Sequence, residues 1–327
     1  MSEQGKRRVI AIDGGGIKGV LPAAFLASIE ETTGKRIVDH FDLIAGTSTG
    51  GIIALGLGLG IPASEILKLY CDHGPAIFAS RRRARGPLSH LRRAKYDSTP
   101  LEAALLATFG ERRLGDSQTR LVIPAFQRSR QTVYVFKTSH HPRLQVDWRE
   151  RAVDVALATA AAPLYFPSWA LPSGISLLDG GIWANNPAGM AAVEAVGLLG
   201  WPGDRLFILS LGCTETHQRP IARNAGWWHL LRSGVDLLLS GQTQASHGTA
   251  KLLTGHTDEQ PRVFRINPTA ARGQFALDRV DGIADLRALG SDLARNHCPL
   301  LERVFLDSPR EEFVPFHPNS RGSAASE

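Results

Sequence analysis

The stretch FDLIAGTSTGGIIALGLG, Phe41 to Gly58, joins two apolar segments through Gly46-Thr47-Ser48-Thr49-Gly50. Phe41 to Ala45 has the length and apolar character of a strand buried on both faces, as parallel strands are. Gly50 to Leu59 is apolar all round and suits a helix packed on that sheet. Gly-x-Ser-x-Gly between a strand and a helix is the pattern of a nucleophile elbow, where a sharp turn lifts the serine hydroxyl off the sheet edge. Gly46 and Gly50 relieve the crowding of that turn. Thr47 and Thr49 flank the serine, and the helix N-terminus favours negative charge developing beside it. Five residues of this kind also occur in flexible turns, but the strand and helix on either side favour a nucleophile at Ser48.

The α/β alternation continues outward. Val9 to Ile12 reads as a second buried strand. Ile17 to Thr33 reads as a helix, with Leu21, Phe25, Leu26 and Ile29 on one face and Gly34 as its stop. Ala63–Cys71, Thr99–Phe109, Val153–Ala162, Ala188–Leu199 and Asp281–Cys298 read as helices. Arg120–Ala125, Thr132–Lys137, Gly174–Leu178, Asp204–Gly212 and Arg262–Asn267 read as strands. No repeat and no dividing linker is found, so the expectation is one domain: a core over 7–212, an extension over 213–308 that completes it, and a flexible tail over 309–327.

Asp13-Gly14-Gly15-Gly16-Ile17-Lys18-Gly19 also lies between a strand and a helix. It fits the glycine pattern of a dinucleotide site, which needs an acidic residue at a second strand end about 20 positions on. Glu30, Glu31 and Asp39 fall in range, but none ends a clear strand. The other use of such a loop is to converge backbone N–H groups on one point, an oxyanion hole. The elbow that follows so soon favours this second use, with Gly15, Gly16 and Lys18 as donors and Gly14 and Gly19 shaping the loop. The third feature is Asp179-Gly180-Gly181, after the strand ending at Leu178. In a parallel sheet its carboxylate would face the same edge as Ser48 and could take the hydroxyl proton; alternatively it caps a glycine turn.

In order, DGGGIKG (13–19), GTSTG (46–50) and DGG (179–181) resemble the patatin family of lipid acyl hydrolases, and the asparagines and proline of Asn185-Asn186-Pro187 are similar to that family's continuation. The resemblance spans roughly residues 7–212. It implies a three-layer α/β/α sandwich with a mainly parallel central sheet. It also implies a Ser48–Asp179 dyad without histidine and an oxyanion hole in the glycine loop, acting on phospholipid or lysophospholipid esters. The alternative, a Ser-His-Asp hydrolase, would draw on His217, His229, His247 or His256, none of which sits in an evident strand-end motif. The opening IDGGGIKGVLPA, the Phe41–Gly58 stretch and the compact length further resemble phospholipases of bacterial cyclic-oligonucleotide antiphage (CBASS) systems, the CapV type. That likeness implies a cyclic dinucleotide activator, such as 3′,3′-cGAMP, and a role in degrading the infected cell's own membrane. A constitutive patatin-type lipase shares the same three motifs.

The 327 residues are 43% hydrophobic and 21% charged, with a formal net charge of +6. General disorder is thereby excluded. The positive excess is concentrated in Arg81, Arg82, Arg83, Arg85, Arg92, Arg93 and Lys95, which suits anionic lipid, nucleic acid or a nucleotide ligand, or is simply a solvated loop. Cys71, Cys213 and Cys298 lie far apart, which argues against a disulfide framework or a metal site and fits a reducing compartment. The N-terminus has no apolar signal region, and the apolar run Ile52–Pro62 is too short for a span of ~20 residues. The expectation is a cytoplasmic protein with peripheral contact to the inner face of the cell membrane, no DNA or RNA partner, no cofactor required for the chemistry, and oligomerisation left open. Trp227 to Ser240 carries one apolar face, either a lid or interfacial helix or a helix of the core.

Overall fold

The computed structural model describes residues 5–79, 94–216, 227–271 and 273–317. Its strands are β1 (Arg7–Ile12), β2 (Leu43–Gly46), β3 (Arg120–Gln127), β4 (Thr132–Lys137), β5 (Trp169–Ala170), β6 (Ser176–Asp179), β7 (Leu206–Leu211), β8 (Glu215–Thr216), β9 (Val263–Ile266) and β10 (Thr269–Ala270). Its helices are α1 (Val20–Thr33), α2 (Thr49–Gly58), α3 (Ala63–Lys68), α4 (Gly74–Ala79), α5 (Thr99–Phe109), α6 (Ala152–Thr159), α7 (Gly181–Ala184), α8 (Ala188–Val193), α9 (Trp227–Thr254) and α10 (Ile283–Val304).

Eight strands form one sheet along the path β5-β6-β3-β2-β1-β7-β9, with β4 paired to β3. The β3-β2-β1-β7-β9 stretch is parallel throughout. Side chains alternate across it as the strand period demands. Ile10, Ile12 and Ile44 enter a large core with α1, α2, α3, α5, α6 and α10. Val9, Ala11, Leu43 and Ala45 enter a smaller one where Ala188, Ala191 and Ala192 bring α8 close to the sheet and Ala250 brings in α9. The result is the expected α/β/α sandwich with a mainly parallel sheet. β9 and α10 belong to it: β9 extends the sheet beyond β7, and α10 packs along α1.

One expectation about the sheet is corrected. Asp179 does not end a strand parallel to β2, because β6 runs antiparallel to β3, from Ala125↔Asp179 to Gln127↔Leu177. β4 takes one edge of β3 over Val122–Gln127. The other edge is shared: β2 covers Arg120–Val122 and β6 covers Ala125–Gln127. β3 overshoots β2, and β6 comes back along the overhang. The carboxyl ends of β2 and β6 therefore point at each other, and this opposition, not parallelism, brings Asp179 to the edge where Ser48 sits.

Two further differences matter. The helix expected over Ala63–Cys71 ends at Lys68 and passes through a π-turn, Leu69–His73, into α4; a second π-turn, Glu194–Leu198, follows α8. The tail expected to be loose from 309 is bonded to the body as far as 317. Arg310 N–H donates to Asp39 O (2.8 Å), Phe316 N–H donates to Ser139 O (2.8 Å), and Glu311 pairs with Arg7. The basic run from Arg81 to Arg93 lies outside the described residues, while Lys95 pairs with Asp278. α9 is one long helix from Trp227; its side chains before Leu237 lie outside the description.

Candidate active site

Ser48 begins α2 in a backbone conformation that side chains disfavour, φ 54° and ψ −121°. Such strain costs about 1–3 kcal/mol and persists only where neighbours impose it. Here they do. Ser48 N–H donates to Thr159 Oγ1 (3.0 Å), which itself donates to Pro124 O (2.6 Å). On the near side, Thr47 N–H donates to Ile12 O (3.1 Å) and Thr47 Oγ1 to Ala184 O (2.5 Å). The elbow glycines are explained by close approach: a Cβ on Gly46 would lie 2.1 Å from Gly50 O, and one on Gly50 would lie 2.2 Å from Ile12 O. Thr49 Oγ1 donates to Tyr70 Oη (2.8 Å), which donates on to Thr49 O (2.9 Å).

Asp179 lies buried at the end of β6. Its N–H donates to Ala161 O (3.0 Å), and Gly180 N–H donates to Thr159 O (3.2 Å), so the α6 terminus that holds Ser48 also holds the aspartate. Burial pushes its carboxyl up to about 6, while hydrogen bonds from the Ser48 hydroxyl and the Gly181 N–H resist the shift. The Gly181 bond is 2.6 Å. Gly180 must lack a side chain, because a Cβ would meet Pro124 O at 2.3 Å. The nucleophile candidate and the base candidate thus face the same cleft, with the serine hydroxyl near enough to oppose the carboxyl's upward shift.

The glycine loop lies beside them; a Cβ on Gly14 would come within 3.3 Å of Ser48 Cβ. Its amides divide into two sets. Gly14 N–H donates to Asn185 O (3.0 Å) and Lys18 N–H donates to Gly15 O (3.2 Å), so neither is free for a ligand as the sequence had suggested for Lys18. The N–H groups of Gly15 and Gly16 have no acceptor among the described residues. Gly16 adopts φ +58° with Leu277 O against it. Gly19 packs on Thr49 Oγ1, where a Cβ would stand at 2.1 Å.

Sequence reasoning missed several supports. Asp13 is held by both terminal nitrogens of Arg265 (2.8 and 2.6 Å), and Arg265 also donates to Ser210 Oγ (2.8 Å). Asn185 N–H is fixed by Gln242 Oε1 of α9 (2.7 Å). These partners come from distant segments and carry no local motif. Cys213 sits against Gly15, and burial pushes its thiol up to about 12, so it stays protonated.

All of this faces one cleft of about 1970 Å³. One end is walled by Ile52, Leu69, Ile77, Phe78, Leu101 and Phe166. The other end, at the carboxyl edge of β1, β7 and β9, is polar, with Lys18, Thr214, Arg265 and Asn267. It lies where chain order reverses across β1, the usual ligand crevice of open α/β sheets. Among the described residues no histidine lines the cleft. Of the four candidate histidines, His256 Nδ1 accepts from Arg262 and Val263 N–H (3.1 and 3.0 Å), a structural role, and the side chains of His217 and His229 lie outside the description.

Comparison with known proteins shows the family. The patatin-like phospholipase family model matches residues 10–192. A cGAMP-activated phospholipase of Pseudomonas aeruginosa (strain BWHPSA011 / Pa011) is 36% identical over 283 residues, 83% of this chain and 82% of its own. A cGAMP-activated phospholipase of Escherichia coli (strain TW11681) is 31% identical over 335 residues, 94% of each chain. Among solved structures, VipD from Legionella pneumophila aligns with 90% of this chain and 67% of its own, at 12% identity and a TM-score of 0.48.

Proposed function

The chain belongs to the patatin-like phospholipase family, and we propose from that premise that it cleaves fatty acyl esters of membrane phospholipids through a Ser48–Asp179 dyad. It is a lipid ester hydrolase by family; what carries the dyad is that the buried Asp179 carboxylate and Ser48 line one cleft, with the serine hydroxyl opposing the carboxyl's upward shift. As Ser48 Oγ attacks the acyl carbonyl carbon, its proton passes to Asp179. The negative charge gathers on the former carbonyl oxygen, where the Gly15 and Gly16 N–H groups can receive it. Collapse breaks the ester bond, and Asp179 returns the proton to the departing alkoxide. Water then attacks the acyl-enzyme, giving its proton to Asp179, and release of the fatty acid restores the serine hydroxyl. No cofactor enters these steps.

The control of the reaction is inferred from the relatives' name. We read the chain as a cyclic-dinucleotide-activated effector, with 3′,3′-cGAMP as the first ligand to try, that degrades the cell's own membrane in a bacterial antiphage (CBASS) response. This places it in the cytoplasm with peripheral contact to the membrane's inner face. Among the described residues no helix is long and apolar enough to cross a membrane. The test is fatty-acid release from phospholipid vesicles with and without the nucleotide. Release should rise on adding 3′,3′-cGAMP and vanish in Ser48→Ala and in Asp179→Ala. Release unaffected by any cyclic dinucleotide would leave a constitutive patatin-type lipase; release that survives in Asp179→Ala would end the dyad.

A further inference from the structure

We propose that the mouth of the cleft is a docking collar for a phospholipid bilayer, formed by Leu164, Ile182, Leu237, Leu238 and Leu277. This deepens the lipid-hydrolase reading of Ser48 and rests on it. All five side chains are exposed large apolar groups, and all five border the cleft that holds Ser48. They come from four separate segments: the turn after α6, α7, the middle of α9, and the loop before α10. Contiguous exposed apolar surface around a site marks a place where something apolar docks.

Leu164 is the telling member. It is 82% exposed and adopts φ 73°, in the left-handed region that leucine disfavours. Burial does not account for it, since the side chain is in solvent. The turn is imposed from below: Lys95 N–H donates to Leu164 O (2.9 Å) and Tyr96 N–H to Tyr165 O (2.8 Å). An unfavourable backbone that presents an unfavourably exposed side chain at the rim of a reactive cleft is strain put to a use. Leu238, 74% exposed, stands on the α9 side of the same mouth.

Charged residues described beside Leu164 and Leu277 are matched. Lys95 pairs with Asp278, which also accepts from Tyr96 Oη (2.7 Å), and Arg279 pairs with Asp281 (2.6 Å). What the described collar offers a bilayer is therefore apolar insertion. A bilayer is also the occupant the chemistry of the cleft requires. An acyl chain leaving the membrane for Ser48 would otherwise cross water, whereas leucines sunk among the lipid chains give it a continuous apolar path into the Ile52 and Phe78 end.

The experiment is flotation of the Ser48→Ala protein with phosphatidylcholine vesicles, with and without phosphatidylglycerol, and with 3′,3′-cGAMP present, beside the same protein carrying Leu164→Asp or Leu238→Asp. Each aspartate is expected to lower the bound fraction about tenfold, with anionic lipid changing this little. In the Ser48 background, hydrolysis of a water-soluble monomeric ester should be unchanged by either aspartate, which also reports the fold, while vesicle hydrolysis falls in parallel with binding. Equal binding and equal vesicle hydrolysis by the aspartate variants would overturn the collar, as would a change confined to self-association on a sizing column. A parent protein that cleaves neither vesicle nor monomeric ester would instead overturn the hydrolase reading, and the binding data would stand apart from it.

Discussion

Asp179 carries an ionisation that burial has moved from 3.8 to about 6, and both activity and stability should report it. As the proposed base it must be deprotonated, so turnover of a monomeric ester is expected to fall as the pH drops through about 6, read from a pH–rate profile. The stability effect has the opposite sense. The folded chain binds this proton more tightly than the unfolded one, so the group stabilises fully below about pH 4 and loses that contribution as pH rises to about 6. At pH 7 the ionised, buried carboxylate costs about 3 kcal/mol, two pKa units at 1.36 kcal/mol each with a little over. Asp179→Asn should therefore lose hydrolysis and gain up to about 3 kcal/mol of stability at pH 7, measured by denaturant unfolding, with the gain shrinking toward pH 4. At this scale the sequence was informative where a constraint is local. The glycines around Ser48 and the glycine loop announce themselves because a turn with no room for Cβ must be written in adjacent letters. Arg265, Thr159 and Gln242 were not legible, since each reaches the site from far along the chain through one hydrogen bond that any of many residues could make.

The elements show the same division for a different reason. α5 and the seven strands read from the sequence follow from periodicity and caps and lie within two residues of expectation, whereas α1 starts at Val20, three residues late, and the two-residue strands β5, β8 and β10 were not anticipated. Nor was the π-turn at Leu69–His73, because one extra residue in a helical turn leaves the apolar pattern almost untouched. Yet it is placed where π-turns commonly occur, beside a functional site. Tyr70 in that turn is buried, and its hydroxyl closes a two-way link with Thr49, the residue after Ser48. Burial raises its phenol, so it remains a donor. Tyr70→Phe is expected to loosen the elbow: about a tenfold lower kcat with KM nearly unchanged, and slower labelling of Ser48 by a fluorophosphonate probe. An unchanged labelling rate would reduce Tyr70 to packing. The direction of β6 was equally hidden. A four-residue strand reads the same whichever way it runs, and only the overhang of β3 decides.

Across the whole molecule, the chemistry occupies one end of the sheet and a strap of the chain's last described residues secures the other. Glu311 pairs with Arg7 and Arg120 (3.7 Å to the latter), both guanidiniums lie over Trp201, and that of Arg120 also lies over Phe313. Truncation after Ser308 would strip the carboxylate and the ring from partly buried arginines. A loss of about 2 kcal/mol or more in unfolding free energy is expected, with the specific activity of the remaining folded protein unchanged on a monomeric ester. The strap was not legible because its sequence is polar and proline-bearing, the composition of a loose end. The head-on meeting of β2 and β6 has one more consequence, in time rather than space. The two strands touch β3 and not each other, and they emerge from the ribosome far apart: Ser48 early, Asp179 much later, and the Gln242 that fixes the following loop later still. On the proposed dyad, a nascent chain carries Ser48 before Asp179 and Asp179 before Gln242, so hydrolysis has to wait until the chain has grown past all three.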